Sequence, residues 1–345
     1  MGDDQRQRGA LRKRFLFLRD AAPIAQIRPN VWKVATPHGT LSAVKRGPSE
    51  SSIRTEAAAL SLLHRLGCPV PEVYGVDETE AILVLQWVGD RTLDDLCQDG
   101  AENEEQRRSL DTVISGFCNI ERTCSEHKAL LKDHLRPRNL DWEGNILTAR
   151  GRSAISDLME IQGHPCARKE ETFCDPLWED LSEGILDGPT CPGSLDYNAR
   201  NIVVGEERAF FIDFSSLGED WPERRLVQYC TGLGAKRKNG RFAGLLTEES
   251  VSRYAEIRAQ WENHRDPAEI ARSVDRHHIL FHLMAIRSIV EAVRDEQDVW
   301  NRRLLAAWGD PRTRVAQALQ NLMKPLSDDP AASELRAFLR GMGSP

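Results

Sequence analysis

Polar and apolar positions alternate early in the chain. Val31-Trp32-Lys33-Val34-Ala35 and Thr40-Leu41-Ser42-Ala43-Val44-Lys45 flank a turn at Pro37-His38-Gly39, so residues 24–45 predict a hairpin. The period then lengthens. Residues 51–67 are rich in Ala and Leu, with Ile53, Ala57, Leu60 and Leu63 on one arc, which predicts a helix stopped by Gly67. Residues 68–76 and 81–88 read as two more strands; the second is apolar almost throughout and must be buried. The first 88 residues therefore predict the order strand, strand, helix, strand, strand.

Beyond Gly89 the pattern changes. Residues 104–131 predict one long amphipathic helix with Leu110, Ile114, Phe117 and Ile120 or Glu121 marking its face. The stretch 137–192, rich in Pro, Gly and Cys, carries no assignable period. Asn201-Ile202-Val203-Val204 and Ala209-Phe210-Phe211-Ile212-Asp213-Phe214 then predict two short strands around a turn at Gly205. From Glu223 the sequence is helical, with a long segment over 267–297. No solenoid repeat and no low-complexity tract interrupts it.

A chain of 345 residues accommodates two domains, or one large domain in two lobes. Hydrophobic residues make up 40%, enough for a core. The formal charge of −7 argues against a general nucleic-acid binder, which would carry a basic balance. Eight cysteines without C-x-x-C pairs are expected to be reduced thiols of a cytoplasmic protein. No apolar run approaches the roughly 20 residues needed to cross a bilayer. The basic stretch 6–14 around Leu11 is too short in its apolar part for a signal peptide and reads as a solvated start.

Phosphoryl transfer asks a protein for positioning and charge neutralisation: a lysine on the phosphates, a carboxylate holding it, oxygen ligands for magnesium, and a carboxylate near the attacking hydroxyl. Lys45 ends a strand of small residues. Glu56 falls inside the apolar arc of the following helix, where a carboxylate is costly unless paired, and Lys45 is the nearest partner. The plainer alternatives are a solvated lysine and a glutamate at the helix edge reaching water. The densest signal is the run from Gly193 to Phe214. Asp196 and Asn201 have D-x-x-x-x-N spacing, and the two apolar strands after them deliver Asp213.

In these residues the sequence resembles the aminoglycoside-phosphotransferase and choline-kinase-like superfamily, whose loop commonly reads H-G-D-x-x-x-x-N before an apolar I-D-[FWY] strand. The resemblance spans about residues 24–234. It implies a bilobal, protein-kinase-like α+β fold with a small antiparallel-sheet N-lobe and a mainly helical C-lobe. Residues 1–88 would then bind nucleotide, and 89–345 would carry the catalytic loop and acceptor site. It implies transfer of the terminal phosphate of ATP or GTP to a hydroxyl of a small-molecule acceptor, with Mg²⁺. Asp196 matches the catalytic carboxylate, Asn201 and Asp213 the magnesium ligands, Lys45 the phosphate lysine and Glu56 its partner. The backbone from Gln86 to Val88 matches the hinge that bonds the purine edge.

The sequence also departs from that pattern. Ser194 and Leu195 stand where the family usually has His-Gly, a pair that organises the loop backbone. Arg224 and Arg225 follow where a further acid is common; they either meet an anionic acceptor or pair with Glu219, Asp220 and Glu223. Asp141, Asn145 and Asp157 form a competing set, but with four-position spacing and a weakly apolar second strand, Ser153 to Asp157. His278 and His282 have i,i+4 spacing without a third zinc ligand, and with His277 read as core or surface residues. The basic loop 232–241 lacks G-K-[ST] and reads as a mobile basic loop, with an acceptor contact as the alternative given its place after the metal strand. Two other functions stay open: a catalytically silent pseudokinase, favoured by the missing His-Gly, and a kinase of protein or RNA, disfavoured by the absent A-P-E anchor and the acidic balance.

Overall fold

In the computed structural model, the described residues are 22–342 except 36–38, 100–103, 162–166, 206, 236, 238, 263 and 264; the side chains of 22, 23, 167–175 and 342 are also left undescribed. The stretch 6–14, Pro37, His38, Lys236 and Lys238 therefore lie outside the description. A five-stranded antiparallel sheet comes first, in the order β1-β2-β3-β5-β4. Its strands are β1 (Ala22–Arg28), β2 (Val31–Ala35), β3 (Leu41–Arg46), β4 (Val73–Asp77) and β5 (Ile82–Gln86). The sequence accounts for four of these strands. β1 is the addition: it sits at the edge with Ile24 and Ile27 exposed and pairs with β2 through two register shifts, so no clean alternation marks it.

Helix α1 (Glu50–Arg65) starts at Ser49, whose side chain accepts the Ser52 N–H, and ends before Gly67 at φ +80°. Ile53, Leu60 and Leu63 pack into the main core together with Leu83 and Leu85 of β5. Ile82 and Val84 of the same strand meet Val34 and Val44 on the opposite face of the sheet. Both faces of β5 are thus buried, which is why its sequence is apolar rather than alternating.

After β5 the chain passes to α2 (Leu93–Gln98) and α3 (Glu104–Glu126). The long helix breaks at His127 and resumes only as the short turn α4 (Lys128–Leu131). After β6 (Leu135–Arg136), the unassigned stretch contains two helices, α5 (Leu140–Ile161) and α6 (Ala167–Leu186). The buried face of α5 includes Gly144, Thr148, Gly151 and Ala154, residues too small to register as an apolar stripe, and α6 carries Pro176 in its interior. Ser153 to Asp157 is accordingly helix, not strand. Asp157 there pairs with Arg287 at 2.8 Å and Arg294 at 2.7 Å, so this member of the competing set is held in an ion-pair cluster.

The next strands are β7 (Cys191–Ser194), β8 (Ile202–Val204), β9 (Ala209–Phe211) and β10 (Leu217–Asp220). β8 and β9 form a hairpin, and β10 pairs with β6 and β7. The remainder comprises α7 (Pro222–Tyr229), a small β11–β12 pair (Thr231–Gly232 and Ala243–Gly244), α8 (Glu248–Ala259), α9 (Pro267–Arg294), α10 (Val299–Trp308), α11 (Pro311–Leu322) and α12 (Pro330–Met342). No helix among the described residues is long and apolar enough to cross a membrane. The cysteines with described side chains, Cys68, Cys97, Cys118, Cys124, Cys191 and Cys230, are buried free thiols.

Candidate active site

Lys45 lies on β3 opposite Leu83, with its ammonium beneath the sheet. The apolar arc of α1 carries Glu56 into full burial, and Lys45 Nζ meets its two oxygens at 2.8 and 2.9 Å. The same ammonium lies 2.9 Å from Asp213 Oδ1. Burial works against the Lys45 charge, but Glu56 and then Asp213 outweigh it, so its pKa is raised. Burial pushes Glu56 up to about 7 despite Lys45. Asp213, although buried, is held below the usual carboxylate range by Lys45 and Ser215, whose hydroxyl donates to Asp213 Oδ1 at 2.7 Å.

The loop after β7 brings in the other candidates. Ser194 Oγ donates to the Asp213 carbonyl at 3.1 Å and accepts the Asp196 N–H at 3.2 Å. The hydroxyl that replaces histidine therefore ties the start of the loop to the segment carrying Asp213. A 3₁₀ turn over Ala199–Asn201 begins at Asn198, whose side chain accepts the Arg200 N–H. Asn201 donates its amide NH₂ to the Asp196 carbonyl at 3.0 Å, which leaves the amide oxygen as the atom it can offer a ligand. Its carbonyl accepts the Ile212 N–H at 2.9 Å, fixing the end of the hairpin one residue before Asp213. Asp213 has φ +69°, a left-handed conformation that an aspartate adopts at a cost and that clusters at functional sites. Asp196 stands exposed at the rim; partial burial and then the charge of Asp213 raise its pKa.

A second layer holds the loop from below. Tyr197 donates its hydroxyl to Asp220, which also meets Arg138 at 2.9 Å and Arg224 at 3.1 Å. Burial opposes the Asp220 carboxylate, but Arg224, Arg225 and Arg138 pull its pKa down to about 2. Arg224 thus finds one of the acids the sequence offers it. Arg225 does not: fully buried, it pairs with Glu121 of α3 at 3.0 Å and donates to the Cys191 and Gly218 carbonyls. Gly193 passes so close to this pair that a Cβ would lie 2.6 Å from Arg225 Nη1.

At the end of β5, the Gln86 N–H goes to the Glu72 carbonyl and the Trp87 N–H to Leu41, whereas the Val88 N–H has no partner among the described residues. Gly89 follows at φ +146°, where a Cβ would meet Val203 Cγ1 at 2.8 Å. That close approach lets Arg91 accept the Val204 N–H at 2.9 Å and docks the segment on β8. Two cations here escape sequence reasoning. Lys33 lies 4.6 Å over the Trp87 ring and pairs with Asp90 at 2.7 Å, and Arg28 of β1 donates to the Arg200 carbonyl at 2.8 Å. A charged residue on a strand of a small sheet is indistinguishable in sequence from a solvated one until the loop it reaches is known.

A cavity of about 380 Å³ opens beside Asp196 between the loop and α9. His277 lines it, while His278 and His282 lie buried in α9 with ring centroids 4.5 Å apart. Among the described residues no group of three or more His, Cys, Asp or Glu side chains is arranged to hold a metal. In the basic loop, Arg237 pairs with Asp94 at 3.0 Å and Asp95 at 2.6 Å.

The family model of the phosphotransferase enzyme family, APH, matches residues 20–268. Among solved structures, a choline/ethanolamine kinase family protein from Mesorhizobium loti is 14% identical, with 98% of this chain and 99% of that chain covered and a TM-score of 0.50. A macrolide 2′-phosphotransferase from Brachybacterium faecium is 10% identical, covering 83% and 90%, with a TM-score of 0.51. Aminoglycoside 2′-phosphotransferase-IIIa in a GDP complex is 12% identical, covering 92% of each chain, with a TM-score of 0.50. At these identities the likeness establishes the fold: bilobal, kinase-like, with an antiparallel sheet followed by a mostly helical part. A search of the curated proteins finds no match.

Proposed function

We propose that this chain, which belongs to the phosphotransferase enzyme family, moves the terminal phosphate of ATP or GTP to a hydroxyl of a small molecule with the help of Mg²⁺. The observation that carries this reading is the position of Lys45 Nζ, between Glu56 at 2.8 Å and Asp213 at 2.9 Å. A strand, a helix and the segment beyond the loop meet at one cation that keeps part of its surface open, whereas other paired cations such as Arg225 are fully buried. The GDP complex of a fold relative supports a nucleotide donor.

In this reading residues 1–88 hold the nucleotide, with the Gln86 carbonyl and the Val88 N–H facing the purine edge, and residues 89–345 hold the acceptor. Lys45, kept in place by Glu56, neutralises phosphate oxygens. Asn201 and Asp213 offer an amide oxygen and an ionised carboxylate, the hard-oxygen donors that suit Mg²⁺ completed by phosphates and water. The metal, when bound, would supply charge neutralisation on the transferred phosphate. Asp196 orients the acceptor hydroxyl and takes its proton as the oxygen–phosphorus bond forms and the bond to the nucleoside diphosphate breaks; its raised pKa suits a proton acceptor. The pseudokinase alternative rests on the missing His-Gly; the two hydrogen bonds by which Ser194 ties the start of the loop favour the active reading.

The test is nucleotide binding by thermal shift with Mg-ATP and Mg-GTP. Asp213→Asn should remove the Mg²⁺-dependent part of the stabilisation. Unchanged Mg²⁺-dependent binding and turnover in this variant would sink the metal assignment.

A further inference from the structure

The cavity beside Asp196 has a definite chemical character. Leu147, Leu233, Leu280, Phe281, Met284 and Trp308 make up much of its wall. Phe242 stacks on Trp308 with ring centroids 6.2 Å apart and planes 20° apart, giving one flat aromatic side. Among the described residues that line it, Asp196 is the only carboxylate and Arg224 the only cation, and Arg224 is already held by Asp220 at 3.1 Å. Amines buried here would have one counter-ion at the rim and none deeper, so a polycation would lose its hydration without replacement.

Depth adds a second, independent feature. Asp196 is exposed, whereas His277 and Leu280, on the same cavity, are 1% and 3% exposed. Both ring nitrogens of His277 are buried, and burial pushes its pKa down to about 4, so the ring adds no charge to the wall.

We infer that the acceptor taken by this site is a hydroxylated molecule with a compact apolar body, and that it is not a polycation. This rests on the phosphotransfer reading only in that Asp196 faces the reacting hydroxyl. The volume suits one small ring system.

The experiment measures binding to the full chain without nucleotide, using three probes: 6-(hydroxymethyl)-2-naphthol, 2-naphthylmethanol and the polycationic amino sugar kanamycin. The naphthol is expected to bind at least about tenfold more tightly than kanamycin, as a small-ligand hydrogen bond plus apolar burial allows. Met284→Asp, at a half-buried wall position, should weaken the naphthol about tenfold. Phe281→Ala should act in the same direction, which covers the case in which the aspartate variant does not fold. Kanamycin binding as tightly as the naphthol, or no binding of either naphthalene to folded protein, overturns the inference. Failure of the phosphotransfer reading would show separately, as a wild-type protein that consumes neither ATP nor GTP.

Discussion

Ser194 is the residue at which this chain departs most from the kinase-like loop pattern, and its hydroxyl does locally what a larger side chain would do by other contacts. It bonds both the Asp213 carbonyl and the Asp196 N–H, so the two acids are referenced to one atom. Ser194→Ala leaves a buried carbonyl and an N–H to find water in a site with little room. Each lost bond costs about 1 kcal/mol, and the loss falls on loop geometry rather than on nucleotide contacts. The expected outcome is a turnover number lowered roughly tenfold with nucleotide affinity within about twofold of wild type. Steady-state kinetics with a separate nucleotide titration checks it; an equal fall in affinity would mean that Ser194 supports the nucleotide pocket instead. The role of Ser194 was not legible in the sequence, because a serine carries no spacing rule. Glu56 was legible, because a carboxylate in an apolar arc demands a partner and the preceding strand supplies only one candidate.

At the scale of elements, the loop is held by what lies beneath it. Asp220 ends β10, is fully buried, and gathers Tyr197 from the loop, Arg138 from the segment before α5 and Arg224 from α7. Its folded pKa, about 2, lies below the ordinary 3.8, so its charge stabilises the fold above about pH 4. That contribution is lost as the pH falls from about 4 towards 2. Asp220→Asn is therefore expected to reduce stability by about 2 kcal/mol at pH 7, with the gap to wild type narrowing through that window. Urea unfolding at pH 7 and pH 3 measures it, and a gap independent of pH would remove the charge from the explanation. Elements with a strong period, such as α1, β5 and the β8–β9 hairpin, follow from the sequence. α5 does not, because the first part of its buried face is built on Gly144, Thr148, Gly151 and Ala154, and small residues bury a helix without marking a stripe.

For the whole molecule, the candidate site gathers Lys45 and Glu56 from the first sheet and its helix with Asp196, Asn201 and Asp213 from a loop more than a hundred residues later. Local spacing made the later cluster readable, and strand order made the earlier pair readable. Tertiary partners were not readable: Arg225 finds Glu121 on α3, and His277 of α9 lines the cavity beside the loop. The central claim is that Asp196, not Asp141 in the competing set, meets the acceptor hydroxyl. Asp141 lies in the first turn of α5, whereas Asp196 is linked through its N–H to Ser194 and through its carbonyl to Asn201. Orienting and proton-accepting carboxylates contribute on the order of 10²–10⁴-fold in rate. The decisive measurement is nucleotide consumption by Asp196→Asn and Asp141→Asn, each with and without an acceptor. Asp196→Asn is expected to keep fold and nucleotide affinity while turnover falls by about 10²–10⁴-fold, with Asp141→Asn near wild type. The reverse ranking, or two variants that both turn over like wild type, would contradict the assignment.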